Sequence, residues 1–97
     1  MAVFHPNHDE LHGFTVCITT TGTQTYVGRW DHVEGGRVML LDAAQHIEGQ
    51  DAGSRAEFIK QCALWGVKAT HKTLLVDTSN FDRVRKLGEV ATELRGW

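Results

Sequence analysis

The sequence predicts a mainly β chain, a small, strongly bent antiparallel barrel of about five strands with one inserted helix near residues 54–65 and short terminal helices. Three observations carry that reading. Residues 14–43 read as three consecutive strands joined by glycine-containing turns. A capping box at Ser54-Arg55-Ala56-Glu57 opens an amphipathic run. Further on, the run Thr73-Leu74-Leu75-Val76 reads as another strand.

Residues 1–12 are polar and rich in histidine. Pro6 suits the first turn of a helix, which would set His8 and His12 on one face. His5, His8 and His12 have a spacing open to a transition metal on a helix. The alternative is a solvated turn that packs Leu11 on the barrel. No cysteine or second histidine pair completes a ligand set, so no metal site is assigned.

In the first strand Phe14, Val16 and Ile18 alternate with Thr15, Cys17 and Thr19, the period of a half-buried strand. Gly22 suits the hairpin that follows. The second strand starts near Gln24 and runs toward Val33, with Tyr26 and Trp30 on one face and Gly28 between them. A glycine there marks a bulge, a bend or a close backbone approach. Glu34-Gly35-Gly36 is the next turn. Val38-Met39-Leu40-Leu41 is apolar on both faces, as a central strand is, and the strand is expected to run on toward Ile47.

In the inserted helix Phe58, Ile59, Cys62 and Trp65 form an apolar stripe. Trp65 reads as core because it shares that stripe; the alternative is a partner surface. Gly66 suits the left-handed position after the last turn, with Val67 making the accompanying apolar contact. Residues 73–76 are the fourth strand, and Asp77-Thr78-Ser79-Asn80 is a turn or helix cap. Beyond it Phe81, Val84, Leu87, Ala91 and Leu94 repeat with helical spacing, and Arg85 with Glu89 has the spacing of a helical ion pair. Local propensity favours helix from Asn80. The resemblance described next asks for a strand near residues 81–85, and the combined expectation is a short strand turning into a helix.

Leu11-His12-Gly13-Phe14-Thr15-Val16, Tyr26-Val27-Gly28-Arg29-Trp30 and Val38-Met39-Leu40-Leu41-Asp42-Ala43 together resemble the Sm/Lsm family of small, SH3-like β-barrels. The first is similar to that family's passage from a short helix into its first strand. The second stands where the family has a bent strand with a fixed glycine, and the third where it has an apolar strand closed by an acid and an alanine. The family places an RNA-holding asparagine in the turn before the third strand; here that turn is Glu34-Gly35-Gly36-Arg37. The resemblance implies two loops that meet across the barrel and bind single-stranded nucleic acid, through His32, Arg37, Asn80 and Arg83. For Arg37 and Asn80 the competing readings are a solvated turn residue and a helix cap. It also implies self-association into a ring of about five to seven copies. Leu74 and Val76 of the fourth strand and Phe81 of the fifth are the expected interface.

The charge of −2 is unevenly spread. Residues 1–48 hold two arginines against six acids, and residues 49–97 hold eight Lys/Arg against six. This excludes a basic tail, so nucleic-acid binding requires a local patch or one repeated by oligomerisation. No apolar run reaches the ~18–20 residues of a membrane span. The N-terminus has no basic-then-apolar signal, which with two well-separated cysteines points to a single cytoplasmic domain over residues 1–97 with reduced thiols. No phosphate loop or nucleophile signature occurs, so a non-catalytic protein without cofactor is expected. Two functions compete: a ring that binds single-stranded RNA or DNA, and an assembly or adaptor module that contacts proteins only.

Overall fold

Residues from five strands meet in one apolar cluster, and that meeting determines the architecture. In the computed structural model, which describes residues 11–95, β1 spans Thr15–Thr20, β2 Gln24–Glu34, β3 Arg37–Ile47, β4 His71–Asp77 and β5 Phe81–Lys86. All pairings are antiparallel and the order across the sheet is β4-β3-β2-β1-β5. Val16 and Ile18 of β1, Trp30 of β2 and Leu40 of β3 share a cluster with Val76 of β4 and Phe81 of β5. The outer strands of a flat five-stranded sheet stand roughly 19 Å apart. Side chains from both edges reach one cluster only because the sheet curls into the expected barrel.

The curl is built into β2 and β3. Their register shifts at Gly28 and again between Trp30 and His32. A Cβ on Gly28 would lie 2.8 Å from Ala43 Cβ and 3.2 Å from Leu40 Cβ. The glycine therefore lets the two strands approach where they bend. Opposite it, Asp42 has φ +48° and carries the extra residue of the bulge. Its carboxylate meets Arg29 at 3.6 Å.

The other face of β1 and β2 is buried too, a difference from the half-buried strand that alternation predicts. Helices α1, Arg55–Trp65, and α2, Leu87–Leu94, cover it. A second cluster joins Cys17 and Val27 of the sheet to Cys62, Leu87 and Val90 of the helices. Burial pushes the Cys17 thiol up to about 11, the proximity of Cys62 adding to it, which leaves an unreactive thiol at neutral pH. Phe14, expected to continue the inward row, is instead 46% exposed with the Lys86 ammonium 4.1 Å from its ring centre.

Helix α1 begins where the capping box puts it. The Glu57 amide donates to Ser54 Oγ (3.1 Å), and the Ser54 amide donates to Glu57 Oε1 (2.9 Å). The Glu57 carboxyl is held below its ordinary range, first by its hydrogen bond from the Ser54 backbone. Ser54→Ala is expected to lower stability by about 0.5–2 kcal/mol, read as a lower urea midpoint at unchanged slope. An unchanged midpoint would mean that packing alone positions the first turn.

Trp65 is a correction. It is 83% exposed, not core. Phe58, Ile59, Cys62 and Ala63 define the buried arc. At about 100° per residue Trp65 lies roughly a quarter-turn from the middle of that arc. Gly66 has φ +96° but ψ 160°, so the chain leaves α1 extended rather than through a left-handed cap. Val67 still packs against the second cluster, as expected.

The segment after Asn80 resolves into β5 and then α2, as the combined expectation has it; the continuous helix that propensity favours does not form. Pairing with β1 overrides the helical spacing: Ile18 faces Val84 and Cys17 faces Arg85. In consequence Arg85 bonds Glu93 of α2, not Glu89. The expected N-terminal helical turn, with His5 and His8, and the terminal Trp97 fall outside the described residues.

Candidate functional site: the loop end and the sheet edges

The turn between β2 and β3 has two central glycines with positive φ, +59° at Gly35 and +76° at Gly36, as a tight type I′ hairpin requires. This geometry turns the Gly36 carbonyl outward. It accepts from the Thr78 amide (3.0 Å) and from the Thr78 hydroxyl (3.0 Å). Thr78–Asn80 is a single 3₁₀ turn capped by Asp77, whose Oδ1 accepts from the Ser79 amide at 2.8 Å. Asp77, not Asn80, is thus the cap. At the other end of that turn the Asn80 carbonyl accepts from the Thr21 amide at 2.9 Å. Three turns are therefore tied together at one end of the barrel.

Register gives the side chains of this end a common face. Glu34 pairs with Arg37 and Arg37 with Asp77; His32 pairs with Met39 and Met39 with Leu75. Paired residues point to the same side of a sheet. Arg37 is therefore the cross-strand neighbour of two acids, Glu34 and Asp77, and it contributes to holding Asp77 below its ordinary range, after the hydrogen bonds from Ser79. His32 is in a similar setting. Its Nδ1 is 2.6 Å from Asp31 Oδ2 and its Nε2 is 3.7 Å from Glu34 Oε2. The hydrogen bond to Asp31 is the largest cause of its raised pKa, so the imidazolium persists to higher pH than in a free histidine. His12 Nδ1 lies 2.6 Å from the Asp31 carbonyl. Among the described residues no cluster of three or more His, Cys, Asp or Glu has a metal-holding arrangement.

The structure thus brings His32, Arg37 and Asn80 to one end. Arg83 is elsewhere. It pairs with Thr19 and lines a small cavity of about 110 Å³ with Cys17, Ile59 and Arg85, on the side that the helices cover.

The outer strands of the sheet are β4 and β5. Val76 and Phe81 are buried in the chain's own barrel and Leu74 packs against it. The outward apolar side chain of β4 is Leu75, 54% exposed. Any contact along these strands uses their backbone edges and Leu75, with the expected residues behind them.

Sequence reasoning missed two features. Arg55 ties α1 to the β1–β2 hairpin, donating from Nε to Thr25 Oγ1 (2.8 Å) and from Nη2 to the Gly22 carbonyl. No local pattern marks it, because its partners lie some thirty residues earlier. His46 is buried, stacks on Phe58 at 5.1 Å, and places Nε2 3.2 Å from the Gly53 carbonyl. Its burial was hidden in the sequence, because the bulge at Asp42 shifts the alternation and sets Ala44 and His46 on the helix-covered face, opposite Val38 and Leu40.

The backbone path has counterparts among solved structures. An Sm protein from Pyrococcus abyssii, solved in complex with a uridine heptamer, superposes with a TM-score of 0.53 at 11% identity, over 81% of this chain and 90% of its own. The fold is Sm-like. A chain of the NatC complex, solved bound to CoA, matches with a TM-score of 0.55 at 14% identity, over 95% of this chain and 99% of its own. No family model matches the sequence, and no curated protein matches it. The departure from a minimal Sm-like barrel is the insertion of α1 between β3 and β4. No helix among the described residues is long and apolar enough to cross a membrane.

Proposed function

We propose that the chain is a non-catalytic assembly module that joins head to tail through its two sheet edges and closes into a ring. The observation that carries this reading is the strand order, with β4 at one end of the sheet and β5 at the other. Each outer strand offers backbone donors and acceptors to a neighbour. The Sm-like fold of both structural counterparts supports the reading. The test is native mass spectrometry at micromolar concentration, where a single closed multiple of the chain mass is expected and a monomer would end the proposal.

In such a ring the loop end recurs around a common axis. The solved complex of the Pyrococcus abyssii protein with a uridine heptamer supports single-stranded RNA as the ligand of that surface. Arg37 would meet phosphate or a base edge, His32 would stack, and Asn80 would read a base or sugar hydroxyl. Titration with an oligouridylate at several salt concentrations tests this. Arg37→Ala is expected to weaken binding more than Lys72→Ala, since Lys72 lies outside the tied turns, and affinity should fall as salt rises. Equal effects would indicate unspecific attraction. No binding by the wild type would leave the second reading, a protein-only adaptor. That reading is favoured by one observation: Asp31, Glu34 and Asp77 sit beside the two cationic side chains of the loop end.

A further inference from the structure

An exposed tryptophan on a short helix calls for an explanation. Trp65 closes α1 at 83% exposure, although the same helix buries its neighbour Cys62 to 5%. It is one wall of a groove of about 360 Å³ whose floor is Ala44, Phe58 and Cys62 and whose rim carries Gln61 and Lys68. A second, more open depression shares Cys62 and Gly66 with the first and runs on between α1 and α2, over Ala63, Val67, Leu87 and Ala91. The two form one apolar trough around the end of α1.

Among the described residues, Lys68 is the one charged residue that lines the trough. None of its lining residues is acidic. From Phe58 to Val76 the chain contains no aspartate or glutamate at all, while it carries Lys60, Lys68 and Lys72. This holds in a chain with net charge −2, whose loop end is rich in carboxylates. A patch without acids is not what a solvated helix face ordinarily shows, since solubility is served by mixing both signs.

We infer that the trough beside Trp65 is a docking site for a protein partner that presents an apolar or aromatic side chain flanked by a carboxylate. The apolar side chain enters the concavity over Phe58 and Cys62 and packs on the indole; a carboxylate meets Lys68 at the rim. Large aromatic residues beside a desolvated pocket are the usual anchors of such contacts, and rim charges select the partner and speed its approach. A second copy of this chain fits less well, because a two-fold contact here would set like charges face to face. A nucleic-acid strand would find one lysine and a stacking surface, but it makes little use of an apolar concavity next to the indole.

The proposal goes beyond the ring reading and uses none of its residues. It is tested by selecting a random peptide display library on the immobilised full chain, with the Trp65→Ala protein as counter-selection. The expected winners combine Leu, Phe or Trp with at least one carboxylate. A winning peptide, made synthetically, should bind at least about tenfold more weakly to Trp65→Ala. It should also weaken on Lys68→Glu and as salt rises. Trp65 is exposed, so its loss leaves folding intact, which circular dichroism checks. Winners that lack carboxylates, equal enrichment on Trp65→Ala, or no enrichment would overturn the proposal. So would an oligouridylate whose binding is lost in Trp65→Ala, since the trough would then be a nucleic-acid site.

Discussion

Gly28→Val is expected to abolish soluble folding or to leave a protein destabilised by about 3 kcal/mol or more, at the upper end of what overpacking costs. The reason is the position, not glycine as such. Gly28 faces Val16 across β1 and lies at the register shift between β2 and β3. A Cβ there meets the Ala43 side chain at 2.8 Å, the Ala43 backbone at 3.1 Å and Leu40 at 3.2 Å. None of these atoms is the far end of a flexible side chain, and Leu40 and Ala43 are themselves fully buried. Relief would require β2 to move off β3, which opens the cluster around Trp30. Gly88 is the control. A Cβ on it meets nothing within 4 Å, and it sits in α2. Gly88→Ala should therefore stabilise by about 0.4–1 kcal/mol. Urea denaturation of the two variants beside the wild type gives both values. A Gly28→Val protein with an unchanged midpoint would mean that the bend between β2 and β3 is not where the barrel is closed.

That glycine also illustrates what the sequence disclosed. A glycine inside a β-branched run, two positions from Trp30, marks a bend before any coordinates are seen. The same holds for the capping box of α1 and for the central position of β3, because the physics that produces them is confined to a few adjacent residues. The readings that changed concern surfaces made by distant parts of the chain. Helical spacing after Asn80 is real, yet β1 offers backbone partners from Val16 to Thr20, and these outweigh a local preference of a few tenths of a kcal/mol per residue. Trp65 lies on the apolar stripe of α1, but whether the edge of a stripe is covered depends on where the sheet beneath it ends. The family resemblance places Arg83 with the loop that follows the fourth strand. The bulge between Thr19 and Thr20 sets its pairing and leaves it on the helix side. The site was thus legible as a set of turns, and less so as a set of faces.

If the chain assembles through its sheet edges as proposed, Leu75→Lys is expected to leave it a monomer with the fold of each chain intact. Leu75 is 54% exposed on an outer strand, and it pairs with Met39 on the face opposite the barrel cluster. It contributes little to its own core, so a charge there costs the isolated chain little. Lysine on an exposed strand edge is a device by which proteins prevent edge-to-edge pairing. The two edges differ in kind. β4 has no charged residue between Lys72 and Asp77, whereas β5 carries Asp82, Arg83, Arg85 and Lys86. Pairing β4 with a second β4 would cover one edge of each chain and leave both β5 edges open. Pairing β4 with the β5 of a neighbour covers both edges of every chain once the circle closes, and repetition of that one contact generates a ring. Native mass spectrometry of wild type and Leu75→Lys, with thermal melts of both, reads the two halves of the prediction separately. Loss of the oligomer at a nearly unchanged melting temperature of the chain is the expected pair of results. A variant that keeps the wild-type mass would move the subunit contact off β4, and a two-fold dimer in the wild type would replace the ring by a contact between identical edges.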